Sequence, residues 1–257
     1  MPVDAGAVFQ LSEVSAAGLG LVAAAALLAS VIGGIAGYGV GLILPIALAP
    51  AVGVANVIPV MAVATTLSNA ARVAAFWRDV DRAQVARLLM VGLPACLVGA
   101  YAYTLLATRA VAAALGLFLI ASVPLRRLLQ ARQFRLGRRG VLAAGAGFGF
   151  LDGGMTGTGV VLISILLAAG VQGAALIGTD ALISALLGLA KSAVFGGAAR
   201  LDAQLALAGL LVGACTVPGA FAARWMLRHI PLRVHAALMD AVVLAGGAGF
   251  LWRAAAY

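Results

Sequence analysis

The sequence predicts an all-α, polytopic transmembrane helical protein made of two inverted five-segment repeats, and three observations carry that prediction. The 257 residues are 64% hydrophobic and only 10% charged, with a mean hydropathy of +1.14. An ordinary soluble domain has about 45–50% apolar and about 25% charged residues. Apolar runs close to the ~20 residues that cross a hydrocarbon core recur at 16–36, 57–76, 83–106, 174–194, 203–223 and 234–251. Finally, a glycine pattern returns in one ungapped register at an offset of 120 residues.

That register places Gly33, Gly34, Gly37 and Gly39 on Gly153, Gly154, Gly157 and Gly159, followed by Val40, Leu42 and Ile43 on Val160, Leu162 and Ile163. Further on, Ala83-Gln84 falls on Ala203-Gln204, and Gly99-Ala100 on Gly219-Ala220. Fixed-period self-similarity marks a duplicated unit. The halves are expected at 1–125 and 140–257, joined by a basic cytoplasmic loop at 126–139. The first half parses into segments 16–36, 39–54, 56–76, 83–106 and 109–125. The second parses into 140–152, 156–171, 174–196, 203–223 and 234–252. An odd number of crossings per half inverts the second half relative to the first, as in many secondary transporters.

The basic residues set the orientation. Arg126, Arg127, Arg132, Arg135, Arg138 and Arg139 crowd the central connection, Arg78, Arg82 and Arg87 a second, and Arg224, Arg228 and Arg233 a third. Such clusters between apolar runs follow the positive-inside rule for cytoplasmic loops. Ten crossings from an external N-terminus put all three inside, and the sparser connections at Arg109 and Arg200–Asp202 outside. Eight full spans, with the glycine breaks folded as re-entrant hairpins, leave the same three loops inside, so both counts fit the charges. The net charge of +9 does not indicate nucleic acid, which needs a basic face on a soluble fold. The start, with Asp4 and Glu13 and no basic stretch, does not read as a secretory signal. Cys96 and Cys215 both fall in apolar segments with neither disulfide nor metal spacing.

Glycine weakens a helix by about 1 kcal/mol relative to alanine, so the breaks need a reason. Gly33-xxx-Gly37, Gly37-xxx-Gly41, Gly149-xxx-Gly153 and Gly153-xxx-Gly157 fit close helix packing. They also fit a helix broken at membrane depth, whose exposed N–H groups make an anion site. The second break carries Asp152, Thr156 and Thr158, for which a pure packing seam has no use.

Other intramembrane polar groups are expensive and point to function. Lys191, the single lysine beside sixteen arginines, lies in an apolar segment with Asp180 and Ser184 on the same helical face. Asp180 and Lys191 would stand about 16 Å apart along that helix. Lys191 therefore needs another partner: Asp152, a bound anion, or the membrane interface by snorkelling. In the first half Thr65, Asn69 and Arg72 share a face, with Ser68 beside it. Arg72 serves either as countercharge or as a topology signal near Trp77 and Arg78. Asp240 reads as a local helix–helix partner.

The two breaks, "GGIAGYGVGLILP" and "DGGMTGTGVVLIS", with the small-polar stretches "AVATTLSN" and "LIGTDALIS", resemble the TauE/SafE family of sulfite-exporter-like permeases. The likeness covers about 16–251 and includes the duplicated layout and the central basic loop. It implies movement of small sulfur-containing anions such as sulfite or sulfonates through a bacterial inner membrane.

The expected function is secondary transport of a small anion by alternating access, the alternative being a non-transporting accessory subunit. The expected substrate-binding residues are Gly37, Gly39, Thr65, Asn69, Arg72, Thr156, Gly157, Thr158, Gly159, Thr179 and Lys191, with Asp152 and Asp180 as proton-coupling candidates. An enzyme is not expected, since no G-x-S-x-G, H-E-x-x-H or Walker A pattern occurs. No cofactor or metal is expected. The partners anticipated are the anion and the lipid bilayer, with a homodimer admitted and nucleic acid excluded.

Overall fold

The computed structural model describes residues 20, 22–30, 39–131, 136–226 and 232–256. Among them every regular element is helical. Residues 22–30 form helix α1. The following helices are α2 (Gly39–Val52), α3 (Val54–Phe76), α4 (Arg82–Thr104), α5 (Thr108–Ala131) and α6 (Arg138–Gly154). The series continues with α7 (Gly159–Ala168), α8 (Gly173–Gly197), α9 (Ala203–Met226) and α10 (Leu232–Ala256). A short 3-10 turn, Trp77–Asp79, ends α3.

The helices begin and stop for local reasons. Asp81 caps α4 by accepting from the Gln84 N–H at 3.0 Å, and Asp202 accepts from Leu205 N–H at 2.8 Å at the start of α9. These carboxylates satisfy amides that a helix start leaves unpaired. Gly53, at φ 78°, separates α2 from α3. Four helices among the described residues are long and apolar enough to cross a membrane: 54–79, 82–104, 108–125 and 173–197. The protein is a multi-pass membrane protein.

Side-chain and backbone contacts fix which connections share an end of the bundle. Thr179, near the start of α8, accepts from the Asp81 N–H at 2.9 Å, so the α3–α4 connection and the α8 N-terminus lie together. Helix α6 runs parallel to α4, with Gly145 against Leu88, Gly149 against Gly92, and Gly153 against Cys96 and Ala100. The α5–α6 connection therefore lies at that same end, with exposed Arg78, Arg82, Arg87, Arg138 and Arg139. At the opposite end Arg200 donates to the Thr104 carbonyl at 2.7 Å, and the Tyr103 hydroxyl to the Ala55 carbonyl at 2.7 Å. Helix α5 continues through Arg126 and Arg127, and Arg138 and Arg139 open α6. The central basic stretch is thus helical at both margins, while Arg132 and Arg135 lie outside the described residues.

The described residues hold ten helices, as the ten-segment reading expects, with α2 and α7 among the short ones. The Leu136 N–H donates to the Ala168 carbonyl at 3.0 Å, so the chain enters α6 and leaves α7 at the same, basic end. Helix α7 has ten residues, about 15 Å at the helical rise, half of a hydrocarbon core. Helices α6 and α7 form a hairpin with its turn at residues 155–158.

Short α2 and α7 start beside each other and run to opposite ends. A Cβ placed on Gly41 would lie 2.7 Å from the Gly157 amide nitrogen. Gly157 itself has φ +83°, and a Cβ there would meet the Leu42 side chain. Left-handed backbone and contact with α2 together require glycine at this position. The two explanations of the glycines therefore divide by position. Gly149 and Gly153 let α6 lie against the α4 backbone, as small-xxx-small seams do, while Gly157 makes the break.

Candidate functional site

Two polar clusters are buried along α8, eleven residues and about 16 Å apart. The first forms at the α6–α7 turn. Lys191 Nζ donates to Asp152 Oδ2 at 3.0 Å and to the Asp152 carbonyl at 3.1 Å. The Thr158 hydroxyl donates to Asp152 Oδ1, and the Thr158 carbonyl accepts from Val161 and Leu162 at the start of α7. Lys191 is 5% exposed and Asp152 8%. Of the three partners open to Lys191, the fold supplies Asp152. The ammonium also caps a carbonyl near the C-terminal end of α6, where helix carbonyls lack partners. Lys191 and Asp152 thus join the two sides of the broken helix to α8, with both carboxylate oxygens occupied.

The second cluster lies toward the basic end. Arg72 on α3 pairs with Asp180 Oδ2 on α8 at 3.2 Å, and Arg72 also donates to Asn69 Oδ1 at 3.1 Å. The Asn69 bond is the one the i, i+3 spacing allows. The Asp180 pair brings together residues 108 positions apart and joins the two halves of the chain. Asp180 Oδ1 is buried and makes no hydrogen bond among the described residues. Such an oxygen loses its hydration without replacement, which costs about 1–3 kcal/mol and more for a charged group. Helix α8 places the two clusters in order: Asp180 is seven residues from its start, Lys191 eighteen. Arg72 and Asp180 therefore stand between the basic end and the α6–α7 turn.

The remaining expected residues take these positions. Gly37 lies outside the described residues, as do Gly33 and Gly34. Gly39 opens α2 and Gly159 opens α7. Thr156 donates to the Gly41 carbonyl at 3.2 Å, tying the second break to the start of α2. Thr65 donates to the Met61 carbonyl of its own helix at 2.6 Å. Thr179 holds the α4 N-terminus through Asp81. The sequence does not pair Arg72 with Asp180, and it offers Gly41 only through its spacing from Gly37. Nothing in either residue's local sequence signals that pairing, which depends on α3 lying against α8.

Hydrophobic helices around the α6–α7 hairpin, with buried ion pairs at its turn and between α3 and α8, define a polytopic membrane protein with an internal polar site. The chain belongs to the TauE/SafE sulfite exporter family, whose model matches residues 22–250. This is the family that the two glycine breaks resemble. No curated protein and no solved structure matches the chain.

Proposed function

We propose that the protein is a secondary transporter that moves small anions, sulfur oxyanions first, across a bacterial cell membrane by alternating access. The observation that carries this reading is the Arg72–Asp180 pair. It is a buried ionic link between the halves, near the basic end, with one carboxylate oxygen left without a partner. Arg72 supplies the countercharge for the anion, its planar fork suiting oxyanions. Beyond it the N-termini of α2 and α7 meet at Gly41 and Gly157, bringing two positive helix ends together, as at transporter anion sites. Both oxygens of Asp152 are engaged, so Asp180 is the carboxylate available for proton coupling. The basic end faces the cytoplasm by the positive-inside rule.

The 120-residue glycine register supports the alternating-access part. Gly99 on α4 packs against Phe150 on α6, and 120 residues away Gly219 on α9 packs against Ser30 on α1. The Ser30 hydroxyl also donates to the Thr216 carbonyl. Short α2 and α7 occupy corresponding places and point in opposite directions. Two such halves can exchange conformations and expose one site to either side in turn.

The test is flux in proteoliposomes containing the purified protein, with labelled sulfite, sulfoacetate and a carboxylate of similar size, each with and without a pH gradient. Saturable sulfite or sulfoacetate movement above protein-free vesicles is expected. Absence of flux for every anion would sink the transporter reading.

A further inference from the structure

We infer that the Arg72–Asp180 site selects an oxyanion that carries its own hydrogen-bond donor, an O–H or N–H beside its charged oxygens. This rests on the anion-transport reading above and deepens it. Asp180 is 1% exposed. Its Oδ2 receives the Arg72 guanidinium at 3.2 Å, while Oδ1 is buried without a partner among the described residues. The neighbouring polar side chains do not fill that gap. Asn69 Oδ1 is an acceptor already engaged by Arg72, and the Thr179 hydroxyl accepts from the Asp81 amide.

The site therefore presents two opposite features side by side: a cationic fork and a bare anionic oxygen. An anion with acceptors alone is attracted by the Arg72 guanidinium but repelled by Oδ1. An anion bearing one donor satisfies both, and the hydration that Oδ1 lost is replaced by a charge-assisted hydrogen bond. Sites built to bond a substrate O–H reject the analogue lacking it far more strongly than apolar pockets reject a missing methylene. The hydrogen in that bond belongs to the substrate, and Asp180 Oδ1 accepts it.

The experiment compares 2-hydroxyethanesulfonate with ethanesulfonate, anions of equal charge that differ by one O–H, as competitors of labelled sulfite uptake at one fixed pH. The wild-type protein should be inhibited at roughly tenfold or more lower concentration by the hydroxylated anion, a difference of about 1.4 kcal/mol. Asp180→Asn should turn its carbonyl toward Arg72 and present its N–H2 where Oδ1 stood. The preference should then vanish or reverse. Because each preference is a ratio measured within one protein, differences in yield or stability between variants cancel. Equal inhibition by the two sulfonates in wild type overturns the inference, as does an unchanged ratio in Asp180→Asn, or sulfite uptake that neither sulfonate inhibits. Where sulfite is not taken up, labelled sulfoacetate serves as the reporter, and absence of flux for every anion overturns the transporter reading instead.

Discussion

The two ion pairs on α8 are built to different standards. Lys191 and Asp152 meet within the second half of the chain. There the lysine bonds a carboxylate oxygen and a main-chain carbonyl, and Thr158 takes the remaining oxygen. Arg72 and Asp180 meet across the halves, with one carboxylate oxygen unsatisfied and the arginine side chain 12% exposed. A closed pair repays its desolvation only through complete hydrogen bonding, and the first pair has that completeness. The second does not, and incompleteness at a buried charge is what a ligand can relieve. The contrast separates two residue classes that look alike in the sequence. Lys191 joins the two sides of the broken helix to α8, while the Arg72 pair is the one proposed to meet the anion.

Three single substitutions, two of them also combined with a second, test this contrast, and the largest effect falls on the closed pair. Lys191→Met leaves Asp152 buried without its counterion and should cost about 3–5 kcal/mol, read by chemical or thermal unfolding in detergent. The Asp152→Asn/Lys191→Met protein leaves neither charge and should regain at least half of that loss. A single-variant cost below about 1 kcal/mol would show the pair to be open to water, and the contrast would fail.

Next in size is Arg72→Met, for which sulfite flux should fall about a hundredfold, equivalent to about 2.7 kcal/mol. Stability should fall less than in Lys191→Met, because Lys191 holds both the carboxylate and the main-chain carbonyl of Asp152. Adding Asp180→Asn should not restore flux, whereas the doubly neutral Asp152/Lys191 protein should transport within about tenfold of wild type. Wild-type flux in Arg72→Met would remove arginine from the site.

The smallest effect belongs to Thr158→Val, which deletes one hydroxyl from the closed pair. It should lower stability by about 1 kcal/mol and leave the apparent KM for sulfite unchanged. A raised KM with unaltered stability would move Thr158 from the closed pair to the substrate path.

Much of the architecture was legible in the chain. Periodicity and hydropathy placed 56–76, 83–106 and 174–196 within a few residues of α3, α4 and α8. Aspartates 81 and 202, three residues before the amides they cap, mark helix starts that any reader could find. The Asn69–Arg72 bond was legible too, being a contact between neighbouring turns of one helix. Less legible was the division among the glycines. Gly149, Gly153 and Gly157 share one spacing, yet two of them face the α4 backbone and the third sits at positive φ beside α2. Spacing records which residues share a face, not what lies opposite.

The sequence by itself determined that this chain lives in a membrane and where most of its helices lie. It also determined which rare charges must find partners there, because hydropathy, helical period and the cost of burying charge act over short stretches of chain. Only the tertiary structure decided that α6 and α7 turn back together, that Lys191 closes on Asp152, and that Arg72 meets Asp180 across 108 residues. Those outcomes depend on which helix faces which. Packing of small residues over whole helix lengths settles that, and no local pattern encodes it.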